Sequence, residues 1–416
     1  MDGNLSSLRP AALPLTTVFL AQALMTSGAY AFSVIAPVAA PDLGMDPNSV
    51  GFLASTLYLV AMLTGLGSQS AIARWGTTRT FQGLLALSAF GILSLMAGHV
   101  AFAFLGAVLI GIATGPMNPC GSFVLARVTP PVWQPLVFSL KQCGTPVGGM
   151  VAGGLLPPLA LLYDWRLALA FLPVWALLLF VFAPHGGLDV GRDALRPAAQ
   201  PAPAQDLRGP TAALQVVLAS LRDAFATPAL RSVVMMGCIL GACQLGLAAY
   251  FVVYLWSETG MSPVEAGQVF VVFHIAGVVV RIVLGAVAER YIPTRILLQA
   301  LGVLMAIGTA CAALFEPTTP LWWIYLVTVV LGVSGNGWVG LFFAELARLA
   351  PTNVASITGG AQFAMYVGIF VGPLLYGVML KSDVSHAECL AVFAALALLT
   401  AFMPLLLNRP AGRITR

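Results

Sequence analysis

The stretch 274–285, HIAGVVVRIVLG, holds a histidine and, seven residues on, an arginine inside a run otherwise apolar enough to sit in lipid. A guanidinium keeps its charge at any physiological pH, and an Arg or Lys at the centre of a membrane helix costs about 2.5–3.5 kcal/mol on insertion scales. Once apolar runs and loops are assigned, two of the nineteen Lys and Arg remain inside runs, Lys141 and Arg281, and none of the fifteen Asp and Glu does. A small mobile anion is the simplest partner for two such charges. Arg281 would grip an anionic group, as a two-pronged fork for a carboxylate. Lys141 would add a second positive charge or hold a second carboxylate. His274 lies close to two helical turns from Arg281, so both share a face, together with Gly277 and Gly285, where a backbone or a small ligand can approach. An imidazole titrates near neutrality, which suits proton coupling. The structural alternatives stay open: Arg281 is nine residues from Arg290 and could snorkel to the interface or belong to a gate, and His274 could be a hydrogen-bonded packing residue.

Other polar groups inside apolar runs are Gln22, Tyr30, Tyr58, Asn118 and Gln142 in the first half, and Gln244, Tyr250, Asn336, Gln362 and Tyr366 in the second. Each alone can be an interhelical hydrogen bond. The segment 115–121, GPMNPCG, carries two prolines. They should interrupt a helix near Asn118, and broken helices often line cavities. No nucleophile and base stand together and no cysteine spacing suggests a metal, so an enzyme, a metal site and a bound cofactor are not expected. Met235, Met236, Cys238 and Cys243 leave a soft-metal path such as copper import as a rival reading, and ordinary packing explains them equally well.

These residues need a membrane scaffold. Of 416 residues 59% are hydrophobic and 8% are charged, against about 25% charged in soluble domains. Runs long enough to cross roughly 30 Å of hydrocarbon fall near 14–36, 48–72, 81–98, 101–124, 135–160, 166–184, 231–256, 264–287, 295–315, 321–345, 355–380 and 388–408. The first run is too long, and too weakly flanked by Arg9, for a cleaved signal. The longest polar stretch, centred on RPAAQPAPAQDLRGP, reads as a linker. It divides the chain into a six-helix bundle over 1–184, a cytoplasmic linker over 185–230 and a second bundle over 231–416.

The halves repeat each other. ARWGTTRT at 73–80 matches ERYIPTRI at 289–296 with an offset of 216, and LARVTPP at 125–131 matches LARLAPT at 346–352 with an offset of 221. Parallel duplicated halves are a transporter design in which the substrate site lies between them at mid-membrane. With both termini cytoplasmic, fifteen of the nineteen basic residues fall on the cytoplasmic side and only Arg166 and Lys381 on the outer side, as the positive-inside rule requires. The net charge of +4 arises in those loops and says nothing about nucleic acid.

In its motifs the chain resembles the major facilitator superfamily. GAVAER at 285–290 is similar to the family's G-x-x-x-D/E-R signature, which implies a gating role for Gly285, Glu289 and Arg290. The copy after the second run is degraded, with Gln69 and Ala73 where glycine and acid would stand, leaving Arg74 and Gly76 as its gating residues. DWR at 164–166 resembles the turn into helix six. GTPVGG at 144–149 partly resembles an antiporter motif that Thr145 interrupts, and Ala107 replaces the arginine expected on helix four of proton-coupled drug exporters. The segment 359–377 is similar to helix eleven of cyanate-type permeases, and R-x-x-x-G on helix eight resembles oxalate and monocarboxylate carriers.

The resemblance implies twelve transmembrane helices in two pseudo-symmetric bundles, an all-α fold, in a bacterial inner membrane. It brings helices five and eight, and so Lys141 and Arg281, toward each other, and it ranks residues on helices one, four, seven and ten highest as cavity lining. The expected function is proton-coupled transport of a small organic anion, a carboxylate, by alternating access. The partners are that substrate, the proton and the lipid, with no nucleic acid, and the carrier is expected to be a monomer. An exporter of drugs or metabolites is the other rival, and the lack of deep acids argues against cationic cargo.

Overall fold

The computed structural model describes residues 9–189, 210–287, 292–350 and 353–407. Every extended element in it is a helix: α1 (Arg9–Asp42), α2 (Val50–Gly65), α3 (Ser68–Trp75), α4 (Thr77–Leu95), α5 (Val100–Val128), α6 (Gln134–Gln142), α7 (Gly144–Leu162), α8 (Trp165–Phe182), α9 (Pro210–Ala224), α10 (Pro228–Thr259), α11 (Pro263–Val287), α12 (Thr294–Ala312), α13 (Leu321–Leu349), α14 (Val354–Lys381) and α15 (His386–Leu407). Among the described residues, eleven helical segments are long and apolar enough to cross a membrane. The twelfth expected span is α4, 19 residues long, which begins earlier than 81 and opens on the polar run Thr77, Thr78, Arg79, Thr80.

Two compact units are present, Met1–Ala204 with Met261–Val271, and Gln205–Gly260 with Val272–Arg416. The first part of α11 therefore groups with the first unit and its remainder with the second. In the first unit α1 packs on α5, α7 and α8, and α5 also receives α2 and α4. In the second, α10 packs on α13, α14 and α15, and α12 on α13 and α15.

Membrane helices have little hydrophobic drive to associate, so close approach through small residues and interhelical hydrogen bonds holds them. The expected duplication has a physical counterpart here. In the first unit Gly148 of α7 seats the Ala23 carbonyl of α1, and in the second Gly368 of α14 seats the Cys238 carbonyl of α10, each with no room for a side chain. Ser27 adds a hydroxyl bond across the first of these contacts, donating to the Gly148 carbonyl at 2.9 Å. The glycines of GTPVGG thus serve as the seat for α1.

The prolines of 115–121 do not interrupt their helix: α5 runs unbroken through Pro116 and Pro119. Gly111 and Gly115 lie directly against α2, and this lateral packing keeps the course that the missing N–H groups would otherwise loosen. The interruption falls instead at Cys143, between α6 and α7. Pro146 there supplies no N–H to the Gln142 carbonyl. The second expected span is also divided, at Leu66–Gly67, into α2 and α3.

Within the range read as linker, 190–209 lies outside the described residues, and α9 follows it. Asp223 near its end accepts from Ser356 at 2.7 Å and from Asn353 at 3.0 Å. The Ser220 backbone lies against Gly360, so α9 docks on the first turns of α14.

The turn before α8 is tied to the end of α1 by DWR. Asp164 caps α8 by accepting from the Arg166 amide at 2.7 Å. Asp42 accepts from Trp165 Nε1 at 2.8 Å and pairs with Arg166 at 3.4 Å.

Candidate functional site

In the first unit, Lys141 stands in the last turn of α6 and is only 1% exposed. Its Nζ donates to the Asn118 carbonyl at 3.0 Å, to Ser122 Oγ at 2.7 Å and to Asn118 Oδ1. An ammonium has three N–H groups, and all three are used. Asn118 and Ser122 are four residues apart on α5, one turn, so both face α6 together. The three acceptors are neutral oxygens. Gly121 leaves the room that the lysine stem and Val18 of α1 fill.

In the second unit, Arg281 of α11 is half-buried, and its Nε donates to the Asn336 carbonyl of α13 at 3.2 Å. Asn336 is 2% exposed and spends its own amide on the Gly332 carbonyl at 3.2 Å. Gly277 makes the contact possible: a β-carbon there would lie 2.7 Å from Asn336 Cγ and 2.8 Å from its Cβ. His274 is 1% exposed and sits on the same helix with its ring edge-on to Phe273 at 5.1 Å.

Asn118 and Asn336 are 218 residues apart, close to both repeat offsets. Each offers its main-chain carbonyl to the basic group of its own unit.

Tyr30 meets Phe270 edge-on at 5.4 Å. Gln142 is partly buried beside Lys141, and Gln22 reaches Thr145 Oγ1 at 3.4 Å. Gln244 accepts from Trp338 Nε1 at 3.1 Å, so it positions an indole that the sequence reading passed over. Tyr250 stacks on Tyr376 at 4.3 Å in a cluster with Tyr254 and His386. Tyr376 Oη is 3.0 Å from His386 Nδ1. Gln362 and Tyr366 are partly buried, one turn apart on α14.

Of the gating candidates, Gly76 closes α3 and opens α4 with a positive φ of 79°, a conformation that favours glycine. Arg74 beside it is exposed, with its guanidinium 6.0 Å from the Trp75 ring. Gly285 lies near the end of α11, and Glu289 and Arg290 lie outside the described residues.

One acid is buried after all: Glu345, 1% exposed on α13, accepts both arms of Arg348 at 2.8 and 2.6 Å. Its place near a helix end hid this, because position along a helix does not reveal which face is covered. On the soft-metal path, Cys243 is buried with its thiol toward the Phe393 carbonyl at 3.6 Å, and the Cys238 backbone is the seat for Gly368.

A family model described as Major Facilitator Superfamily matches residues 18–373. A hexuronate transporter of Bacillus subtilis (strain 168) is 22% identical over 422 residues, covering 95% of each chain. The 4-hydroxybenzoate transporter PcaK of Pseudomonas putida is 24% identical over 383 residues, covering 84% of this chain and 82% of the relative. Among solved structures, a POT family transporter in complex with 5-aminolevulinic acid superposes with a TM-score of 0.75 at 12% identity, over 95% of this chain and 96% of the other. A D-xylose-proton symporter gives 0.71 at 16% identity over the same shares.

Proposed function

The chain belongs to the major facilitator superfamily and is a multi-pass membrane transporter, and from that premise we propose that its cargo is a small organic anion carrying a carboxylate. The observation that carries this reading is Lys141: a buried ammonium whose three partners are all neutral oxygens. A buried charge without a fixed counter-charge favours an opposite charge that comes and goes. Arg281, on a membrane span of its own unit and anchored at Nε by a carbonyl, is the group assigned to the carboxylate, which a planar guanidinium suits better than an ammonium does. The two relatives named for hexuronate and 4-hydroxybenzoate point to the same cargo chemistry.

Transport runs by alternating access, with at least one proton moving alongside the anion. One proton per monoanion makes the cycle electroneutral, so a membrane potential does not oppose uptake. His274, on the helix that carries Arg281, is the candidate carrier for that proton. The gate comprises Arg74, Gly76, Gly285, Glu289 and Arg290, and the carrier works as a monomer in the inner membrane with both termini cytoplasmic.

The test is a thermal-shift screen of the purified carrier against mono- and dicarboxylates, with Arg281→Gln and Arg281→Lys in parallel. A ligand that binds the folded state raises its apparent stability by mass action. The expected result is a shift by a carboxylate that disappears in Arg281→Gln and is weakened in Arg281→Lys. Shifts by uncharged or cationic compounds alone would reject the anion reading.

A further inference from the structure

The geometry points to Lys141 as a second proton-binding site of the carrier, in addition to His274, releasing and regaining a proton during the transport cycle while Asn118 and Ser122 stay bonded to it. The inference rests on the anion-carrier reading for why a proton must move, and on the geometry of α5 and α6 for where it is held.

Two of the three oxygens around Nζ, the Asn118 carbonyl and Asn118 Oδ1, can only accept, whereas the third, Ser122 Oγ, can accept or donate. Around the ammonium all three oxygens accept. When the proton leaves, the amine keeps two N–H groups for the two Asn118 oxygens and gains one lone pair. The Ser122 hydroxyl then turns to donate into that lone pair. The same cage satisfies both protonation states without moving a heavy atom, so neither state leaves a buried polar group unpaired. The balance is one N–H bond broken and one proton delivered to water on the side to which the carrier is open, with the charge of the first unit falling by one. Reprotonation reverses each step.

The neighbours permit this. Helices α1, α5 and α7 pack against α6. Their titratable or charged groups are Arg9, Tyr30 and Asp42 on α1, Cys120 and Arg127 on α5, and none on α7. Arg9 and Asp42 are the end residues of α1, Tyr30 faces Phe270, and Arg127 lies over Phe123. Cys120, on α5 between Asn118 and Ser122, and Cys143, at the join of α6 and α7, remain, and neither is a carboxylate. A carboxylate in contact would pin the proton, and the cage supplies none.

Composition sharpens the point. Of nineteen basic residues only two are lysines, Lys141 and Lys381. Arginine, which cannot give up its charge in a protein, fills every other basic position. Lys381 is exposed in the last turn of α14, so among the described Lys and Arg side chains the buried lysine is the one that is both shielded from water and able to be neutral.

Two lysines also make the test direct. The full-length carrier is labelled with lysine carrying 13C at Cε, reconstituted in lipid nanodiscs and followed by NMR against pH. Lys381→Arg removes the surface signal and assigns the remaining one. The expected result is a Lys141 signal that shifts as the pH is raised across the range in which the carrier stays folded, with the exposed Lys381 signal as the reference on the same protein. A Lys141 signal constant across that range overturns the inference, and this readout needs neither transport nor a mutation at the site. Carboxylate stabilisation is scored separately, so a static Lys141 with intact carboxylate binding rejects only the proton site. A titrating Lys141 with no carboxylate binding rejects the anion reading instead.

Discussion

Gly277→Ala and Gly340→Ala insert the same methyl group into two helices of the second unit and should have opposite effects. At Gly277 the new β-carbon would lie 2.8 Å from Asn336 Cβ, where carbon atoms prefer about 3.5–4.0 Å. Turning the Asn336 side chain cannot relieve a contact with its Cβ. Helices α11 and α13 must therefore separate by roughly 0.7–1.2 Å, at the overpacking cost of about 1–3 kcal/mol. The same shift pulls the Asn336 carbonyl from Arg281 Nε, now 3.2 Å away, and a bond to a charged group contributes about 1.5–3 kcal/mol. At Gly340 nothing lies within 4 Å, so alanine removes backbone freedom and gains about 0.5–1 kcal/mol. Unfolding midpoints of the purified variants measure the first effect, and titration with a carboxylate that stabilises the wild type measures the second. Gly277→Ala should be less stable than Gly340→Ala and bind about tenfold more weakly, the equivalent of about 1.4 kcal/mol. Equal stability and equal affinity in the two variants would refute both the packing reading and the role given to the Arg281 anchor.

Three further perturbations follow from the same geometry. Asn118→Ala removes one charge-assisted bond to Lys141 and should destabilise by about 1.5–3 kcal/mol; in a double-mutant cycle with Lys141→Met most of that cost should vanish, and strictly additive losses would show that the two side chains do not interact. Gly76→Ala places a side chain at a φ of 79° and should cost about 1–3 kcal/mol, read as a lowered midpoint with carboxylate affinity retained. Asp42→Asn breaks an ion pair whose side chains are 39% and 49% exposed, yet leaves an oxygen for the Trp165 indole. Its effect on the midpoint should stay within about 1 kcal/mol, and a larger loss would mean that the tie between α1 and α8 depends on charge.

Much of this was legible in the sequence because the bilayer makes charge conspicuous. Lys141 and Arg281 stood out as basic groups within apolar runs, and Asn118, named for its place between two prolines, proved to be the lysine's partner. Ser122 was not named, since a hydroxyl among small residues has many ordinary uses and only the facing helix selects one. The interruption expected at 115–121 fell at Cys143 because packing against α2 steadies α5, whereas Pro146 removes a donor at the join of α6 and α7. Helix α9 was hidden by the proline and alanine around it, and its hold on α14 through Asp223 depends on residues more than a hundred positions away. The grouping of Tyr250 with Tyr376 and His386 was equally out of reach, because apolar periodicity shows that a face is covered and not what covers it.

Counterflow in proteoliposomes tests the cargo most directly. Vesicles loaded with an unlabelled aromatic or sugar carboxylate should accumulate the labelled compound transiently when they contain the wild-type carrier. The same vesicles with Arg281→Gln, checked for folding and amount, should accumulate none. Counterflow of carboxylates that survives the loss of Arg281, or counterflow with neutral or cationic compounds only, would contradict the assignment of an anion held by that guanidinium.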